Sequence, residues 1–124
     1  MYSILIEQAK KAMENAYAPY SGYKVGAAVK DCDGNIYTGC NIENASYGAT
    51  LCGERMAIFK AVSEGSRKIS VIAVTSQGSM PYPCGMCRQV MTEFMDEDGI
   101  ILLEHKGNVV SYTLKELMPY AFKL

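Results

Sequence analysis

The chain has 124 residues, of which 49% are hydrophobic and 20% are charged, a composition typical of one globular domain with a hydrophobic core. Twelve basic residues against thirteen acidic ones give a formal net charge of -1, which argues against a nucleic-acid partner, because such binding relies on basic side chains that neutralise phosphates. No segment approaches the ~20 consecutive apolar residues of a transmembrane helix, so we expect no membrane partner.

The N-terminal residues 1–16 alternate apolar and charged side chains and lack the basic segment and apolar block of a signal peptide. We therefore expect a cytoplasmic protein whose thiols stay reduced. Its five cysteines are an odd number, and clustered cysteines in a reducing compartment more often bind metal or react than form disulfides. No linker or repeat divides the chain, so we expect residues 1–124 to form a single domain.

The first half of the chain predicts a helix followed by a β-hairpin. Apolar residues recur at helical spacing at Leu5, Ala9, Ala12, Met13 and Ala16. Pro19 and Gly22 then end the helical pattern. Residues 24–30 and 35–42 are typical of two strands, and Asp33-Gly34 between them is a common hairpin turn.

A helix is predicted next over about residues 50–64, with Thr50 as its N-cap and Gly65 just past its end. The continuous apolar run 68–76 is typical of a strand that is covered on both faces.

The remaining residues predict a third helix, two strands and a short final helix. Pro83 suits a first helical turn, and this helix should run to about Met95. Strands are expected at 99–105 and 108–113, followed by a helix at 114–118. The order αββαβαββα predicts an α/β fold, with a mixed sheet of about five strands and helices on its faces.

Three cysteines lie in two short motifs at the starts of predicted helices. Cys52 belongs to TLCGER, and Cys84 and Cys87 belong to PCGMC. The i, i+3 spacing puts two sulfurs on one side of a first helical turn, and helix N-termini stabilise thiolates, the form that binds metal. Three thiolates favour zinc, because iron–sulfur clusters usually take four cysteines.

The number of ligands separates a structural zinc site from a catalytic one, which keeps a position for water. His105 is the only histidine, and its place in the predicted strand pair favours an ordinary strand residue over a fourth ligand. Glu54 would then manage protons on the bound water, on the assumption that the ion lies off the helix end. Arg55 and Arg88 each follow a site residue, and each is either a hydrogen-bond donor to the sulfurs or a surface arginine.

Each of these features has an ordinary explanation when taken alone. A Cys-x-x-Cys pair can be a redox site or half of a structural zinc site, and a glutamate is common in a first helical turn. The combination is more specific, since zinc deaminases share a P-C-x-x-C motif, a separate motif with one ligand, and a glutamate two residues after that ligand.

With CGER at 52–55 and PCGMCRQV at 83–90, the sequence resembles the short, homotetrameric cytidine deaminases. Further resemblance at 17–29, 38–48 and 116–122 covers nearly the whole chain. It implies a three-layer α/β/α sandwich with a mixed five-stranded sheet. It also implies one Zn²⁺ per subunit, held by Cys52, Cys84 and Cys87, with Glu54 as the proton shuttle.

The reaction implied by this resemblance is hydrolytic deamination of cytidine and 2′-deoxycytidine to uridine and 2′-deoxyuridine, with release of ammonia, as in pyrimidine salvage. The expected partner is therefore a small-molecule nucleoside. Two alternatives stay open, namely a deaminase of another base or modified nucleoside, and a non-catalytic zinc module.

The resemblance further implies that Asn41 and Glu43 hold the ribose hydroxyls. Two positions apart in an extended segment, their side chains should point the same way. A polar strand end would explain the pair equally well.

Three residues depart from the family pattern in the expected substrate pocket. Tyr23 replaces the usual Phe as the wall of the base pocket, Gly53 replaces the usual Ala beside the pyrimidine carbonyl, and Tyr82 replaces a small residue at the pocket mouth. They bear on substrate preference and not on the reaction. Phe122 matches a family position whose ring packs over the substrate of a neighbouring subunit, although it would also suit a core aromatic in the C-terminal tail.

Overall fold

The computed structural model describes residues 2–124, which form four α-helices and five β-strands. The helices are α1 (Ser3–Met13), α2 (Gly53–Ser63), α3 (Gly85–Phe94) and α4 (Leu114–Leu117). The strands are β1 (Val25–Asp31), β2 (Ile36–Cys40), β3 (Ile69–Ser76), β4 (Met95–His105) and β5 (Asn108–Thr113). They form one sheet in the order β2-β1-β3-β4-β5, in which only β3 and β4 are parallel neighbours. The mixed five-stranded sheet is therefore confirmed.

Helices cover both faces of this sheet. On one face α1 packs on β1 and β3, around a buried cluster of Leu5, Ala9, Ala28, Val71, Ala73 and Leu102. On the other face, residues of α2, α3 and α4 share a larger cluster that includes Ala57, Ile58, Met91 and Leu114. The predicted three-layer α/β/α sandwich is thus confirmed.

Strand β3 occupies the centre of the sheet, between β1 and β4. All of its residues are buried except the half-buried Ser70, as expected for a continuous apolar run with helices on both faces. Within residues 2–124, no helix combines the length and the apolar character that crossing a membrane requires.

Two glycines let helices lie directly on the sheet from opposite sides. A β-carbon at Gly39 of β2 would lie only 2.5 Å from the backbone nitrogen of Ala57 in α2, and one at Gly26 of β1 would lie 2.1 Å from the carbonyl oxygen of Ala9 in α1. Any side chain at Gly39 would push α2 outward, so this glycine fixes the depth at which α2 sits over β2.

The predicted N-cap of α2 is wrong. The helix begins at Gly53 with Cys52 as its N-cap, because residues 47–49 form a separate 3-10 turn and Thr50 that follows it is extended. The Thr50 hydroxyl accepts a hydrogen bond from the backbone N–H of Asn44 (3.1 Å) instead of capping a helix. The shift places the Cys52 sulfur directly at the helix end.

Two further boundaries differ from prediction near α3. The helix begins at Gly85 with Cys84 as its N-cap, so Pro83 precedes the cap instead of occupying the first turn. Strand β4 begins at Met95, which pairs with Ile69 of β3 before an irregularity in the register. The charged residues 96–98 obscured this start, since they break the apolar pattern that predicted a strand from Gly99.

Glu104 is a buried carboxylate near the end of β4 that ties the sheet to α1. It accepts hydrogen bonds from the Thr75 hydroxyl and from the N–H of Gly107 (2.8 Å), and Lys10 Nζ lies 3.4 Å from it. Burial by itself raises the pKa of Glu104, but the hydrogen bonds and the Lys10 charge outweigh it, so the net pKa lies below 4.5. The carboxylate therefore stabilises the fold above pH 4.5, and this contribution is lost as the pH falls through the folded-state pKa.

We expect Glu104→Gln to lower the free energy of unfolding at pH 7 by about 1–3 kcal/mol, because it removes the charge that Thr75, Gly107 and Lys10 satisfy. The loss should be smaller at pH 3 than at pH 7, because the wild-type carboxyl gains protons as the pH falls through its folded-state pKa, which lies below 4.5. Denaturant unfolding at both pH values measures it, with the exposed Glu93→Gln as control. An equal loss at both pH values would contradict this role of the charge.

Candidate active site

Three cysteine sulfurs converge where α2 and α3 begin. Cys52 is the N-cap of α2, Cys84 is the N-cap of α3, and Cys87 lies in the first turn of α3. The Sγ atoms are 3.9 Å apart for Cys52 and Cys84 and 3.5 Å apart for Cys84 and Cys87, and all three lie within 4.8 Å of one another. Across residues 2–124, this is the only group of three or more cysteine, histidine or acidic side chains placed to share a metal ion.

The pKa values of the Cys52 and Cys87 thiols are shifted in opposite directions. The hydrogen bond from Cys87, aided by Arg55, lowers the pKa of Cys52 to about 5. The same hydrogen bond, together with burial and the nearby charge of Glu54, raises the pKa of Cys87. Arg55 Nη2 lies 3.3 Å from the Cys52 Sγ, so a guanidinium offsets the negative charge of the sulfurs, one of the two roles expected for this arginine.

This donor set fits a zinc ion. A bound cation would replace protons of these thiols, which is the usual exchange when thiols become metal ligands. Thiolate-rich sites select zinc among the common divalent metals. His105, the last residue of β4, does not belong to the sulfur cluster formed within residues 2–124. The described residues thus offer three ligands, which leaves a position for water.

Glu54 is the buried acid beside the sulfurs. It is the second residue of α2, is only 5% exposed, and lines the same cavity as Cys52 and Cys84. Burial raises the pKa of Glu54 to about 7, and the charge of Cys52 adds to this effect. A carboxyl group with such a pKa can both accept and donate a proton near neutral pH.

The cavity over this cluster has a volume of about 240 Å³. Besides Glu54 and the two sulfurs, it is lined by all the predicted pocket residues except Phe122, namely Tyr23, Asn41, Glu43, Gly53 and Tyr82. A larger hollow of about 730 Å³ beside α4 contains none of these residues. The smaller cavity is the one that joins acid, sulfurs and polar groups.

Asn41 and Glu43 both point toward the segment 20–25 and hold it in place. The buried Asn41 amide accepts a hydrogen bond from the N–H of Val25 (2.9 Å) and donates one to the carbonyl of Tyr23 (2.8 Å). Glu43 accepts bonds from the N–H groups of Tyr20 (2.9 Å) and Ser21 (3.0 Å) and from the Ser21 hydroxyl. The hydroxyl bond lowers the pKa of Glu43, so this carboxylate is charged at neutral pH.

The two tyrosines that depart from the family pattern both border the cavity. The Tyr23 hydroxyl donates to the carbonyl of Ser79 (3.1 Å), a bond that a Phe could not make. Tyr82 is 57% exposed, and its ring centroid lies 6.4 Å from that of Tyr112 in β5. Both departures are therefore held by contacts outside the cavity.

Arg88 and Phe122 do not reach the sulfur cluster or the cavity. Arg88 donates from Nε to the carbonyl of Pro83 (2.8 Å) and from Nη1 to that of Leu117 (2.9 Å), so it braces the segment before Cys84 instead of the sulfurs. Phe122 is 67% exposed. Of the two roles expected for it, that of a core aromatic in the C-terminal tail is therefore wrong.

Ser21 and Leu51 line the cavity but were not singled out in the sequence. No periodic pattern marks them, since both lie outside regular helices and strands. The signal available for Ser21 was its place in the Pro-Tyr-Ser-Gly bend, because serine hydroxyls in turns commonly hydrogen-bond nearby backbone groups.

Comparison with known proteins agrees with this geometry. The family model for the cytidine and deoxycytidylate deaminase zinc-binding region matches residues 2–103. The cytidine deaminase of Halalkalibacterium halodurans is 49% identical over 121 residues, covering 96% of this chain and 92% of that protein. The corresponding enzyme of Sporosarcina psychrophila is 48% identical over 95% of this chain and 88% of its own length.

A crystal structure of cytidine deaminase from Burkholderia pseudomallei aligns with a TM-score of 0.93 and 44% identity, covering 98% of this chain and 99% of that one. The resemblance drawn from CGER and PCGMCRQV is confirmed, and so is the prediction of a zinc cofactor, which both the family match and the sulfur cluster support. The chain belongs to the cytidine and deoxycytidylate deaminase family.

Proposed function

We propose that this protein is a cytidine deaminase that converts cytidine and 2′-deoxycytidine to uridine and 2′-deoxyuridine with release of ammonia, in pyrimidine salvage. One observation carries the proposal: the buried acid Glu54 lines the same small cavity as Cys52 and Cys84. These two cysteines belong to the cluster of three sulfurs that lie within 4.8 Å of one another. The relatives at 48–49% identity that are named cytidine deaminase support the same reaction.

Cys52, Cys84 and Cys87 would hold one zinc ion per subunit. When bound, zinc lowers the pKa of a water molecule and so supplies a nucleophile at neutral pH. The thiolates are stabilised by the N-termini of α2 and α3, whose first N–H groups have no partner within the helix.

Glu54 would move the protons of the reaction. Its carboxylate accepts a proton from the attacking water and delivers a proton to N3 of the pyrimidine as the oxygen adds to C4. It then passes the second proton of that oxygen to the departing amino group, which leaves as ammonia while the C4 carbonyl forms. A buried carboxyl group in the same cavity as the sulfurs is placed to act first as base and then as acid.

The sugar would be bound by the hydrogen-bonding capacity that Asn41 and Glu43 retain. An ionised carboxylate offers about four acceptor sites, and three donors already occupy those of Glu43. The Asn41 amide uses one of its two N–H groups and one acceptor site. Glu43 therefore has one free acceptor site, and Asn41 has one free N–H and one free acceptor site. Together they match the hydrogen-bonding capacity of a pair of ribose hydroxyls.

The base would lie between Tyr23 and the sulfur cluster. Gly53 is the first residue of α2, and its N–H is free to bind the pyrimidine carbonyl. Tyr82 borders the cavity and would limit what enters it. A volume of about 240 Å³ lies below the ~300–1,000 Å³ of common ligand pockets, which favours a single nucleoside over a polynucleotide.

Arg55, beside the sulfurs, should affect the activity of the metal site without being a metal ligand. We expect Arg55→Gln to lower kcat/KM for cytidine by roughly 10–100-fold, because it removes the guanidinium that offsets the charge of Cys52. Arg67→Gln is the matched control, since Arg67 bonds the carbonyls of Val62 and Ser66 instead. Steady-state kinetics with zinc content measured on each sample tests this expectation, and equal activity of the two variants would refute it.

Assembly and location follow from the same proposal. We infer a cytoplasmic homotetramer in which residues 1–124 act as one domain per subunit. The exposed ring of Phe122 (67%) lies outside its own chain's cavity, so it is free to close the site of a neighbouring subunit. Light scattering measures the assembly of Phe122→Ala and of the wild type, and kinetics on the same samples measure whether loss of the ring lowers activity. Together they test whether the site is shared between subunits.

The direct test of function is the ultraviolet absorbance change of cytidine and 2′-deoxycytidine, with zinc measured on the same preparation. We expect stoichiometric zinc and loss of the substrate absorbance. Turnover of other aminopyrimidine nucleosides only would indicate a deaminase of different specificity. Stoichiometric zinc without turnover of any of them would indicate a non-catalytic zinc module.

A further inference from the structure

Ser21 joins the two parts of the cavity that the proposed function assigns to sugar and base. Its hydroxyl donates to Glu43 Oε2 and accepts a hydrogen bond from the backbone N–H of Tyr23 (3.0 Å). Its own backbone N–H donates to the other carboxylate oxygen, Glu43 Oε1 (3.0 Å). One residue therefore contacts both oxygens of the acid and the backbone of the aromatic wall.

The two oxygens of Glu43 are held differently. Two backbone N–H groups, those of Tyr20 and Ser21, anchor Oε1. The Ser21 hydroxyl is the one protein donor to Oε2 among residues 2–124. A carboxylate that is anchored at one oxygen can still turn about that oxygen, so the Ser21 hydroxyl sets the direction in which the free acceptor site of Glu43 points.

The Tyr23 ring depends less on Ser21. Its hydroxyl is bonded to the carbonyl of Ser79 (3.1 Å) and its own carbonyl to the Asn41 amide (2.8 Å). Removal of the Ser21 hydroxyl would therefore leave the base wall fixed at two points. Ser21 is also exposed and borders the cavity, so its side chain fills no core space.

We propose that Ser21 is a positioning residue for sugar recognition: its hydroxyl orients the Glu43 carboxylate toward the ribose hydroxyls. The inference rests on the proposed function, because it assumes a nucleoside in the cavity. It separates the roles of two neighbouring groups, with Glu43 touching the sugar and Ser21 acting through Glu43. The consequence is a defect confined to substrates that carry sugar hydroxyls.

The test compares cytidine with 2′,3′-dideoxycytidine, which has the same base but lacks both hydroxyls. We expect Ser21→Ala to raise KM for cytidine about tenfold, because a misdirected carboxylate loses a charge-assisted hydrogen bond, and to leave kcat within about twofold. KM for 2′,3′-dideoxycytidine should change by less than about twofold, since that substrate has no hydroxyl for Glu43 to bind.

Two further variants sharpen the comparison. Ser21→Thr keeps the hydroxyl and should restore the wild-type KM for cytidine. Ser63→Ala removes a serine hydroxyl that bonds only its own helix, at the Lys60 carbonyl (2.8 Å), and should change neither substrate. Thermal unfolding of each variant reports whether a change in KM follows a change in stability.

Equal weakening of both substrates by Ser21→Ala, or no effect on either, would overturn the positioning role. These results are distinguishable from failure of the proposed function, in which the wild-type protein would deaminate neither substrate.

Discussion

Glu54→Gln should lower kcat for cytidine by several orders of magnitude, at least the roughly 10²–10⁴-fold that a general acid–base contributes, while zinc stays bound. Glutamine has nearly the same size as glutamate, but it cannot accept the proton of the attacking water or deliver one to N3 and to the amino group. The candidate metal ligands are the three cysteine sulfurs and do not include Glu54, so this substitution removes no ligand. Steady-state kinetics with metal analysis of the same sample measures both expectations.

The exposed Glu93→Gln is the control for this substitution, since it makes the same chemical change on the outer surface of α3. It should retain wild-type kcat. Near-normal turnover by Glu54→Gln would show that another group moves the protons. If the variant lost both its zinc and its turnover, Glu54 would instead be a zinc ligand.

Cys87→Ala should abolish both zinc binding and activity. Cys87 is fully buried (0% exposed), and its sulfur lies 3.5 Å from that of Cys84. Because the position is closed to solvent, no exposed side chain can take the place of the lost sulfur. With two sulfurs left, the site no longer offers the three protein ligands of a catalytic zinc centre. Metal analysis after gel filtration and the cytidine assay together give the result.

Thermal unfolding adds a readout that does not depend on activity. A metal that binds the folded state stabilises it by mass action, by about 2.7 kcal/mol when free zinc is 100 times its dissociation constant. A chelator should therefore lower the unfolding temperature of the wild type and of Cys32→Ala, whose exposed thiol lies in the hairpin turn, but not that of Cys87→Ala. Equal sensitivity of all three proteins to the chelator would contradict zinc binding at Cys87.

The element order and the central sheet could be predicted from the sequence because they depend on local patterns. The turn between β1 and β2 uses Gly34 at a φ of +88°, a conformation that favours glycine. The apolar run at β3 identified a strand with two covered faces. Gly65, predicted just past α2, also has a positive φ, of +105°.

The start of α2 could not be predicted because it depends on a neighbouring turn. Thr50 is a good N-cap by residue type, but its hydroxyl is bonded to Asn44, and the 3-10 turn before it delays the helix to Gly53. Cys52 became the cap although its side chain makes no capping hydrogen bond.

The metal motifs were visible in the sequence because two of the sulfurs belong to one short motif and the third is followed closely by an acid. The contacts that support the proposed sugar pocket were not visible. Glu43 and Ser21 are 22 positions apart in the chain, and Asn41 reaches Tyr23 from 18 positions away. Such pairs form only when the segment 20–25 folds over the end of β2, which no local pattern specifies.

Zinc K-edge X-ray absorption of the loaded wild-type protein tests most directly whether the sulfur cluster is a catalytic centre. Three sulfur neighbours at ~2.3 Å and one oxygen neighbour at ~2.0 Å are expected, because three cysteines would leave a single position for water. A fourth sulfur, or the scattering pattern of an imidazole from His105, would mean that protein side chains fill every position, and hydrolysis at this zinc would be ruled out.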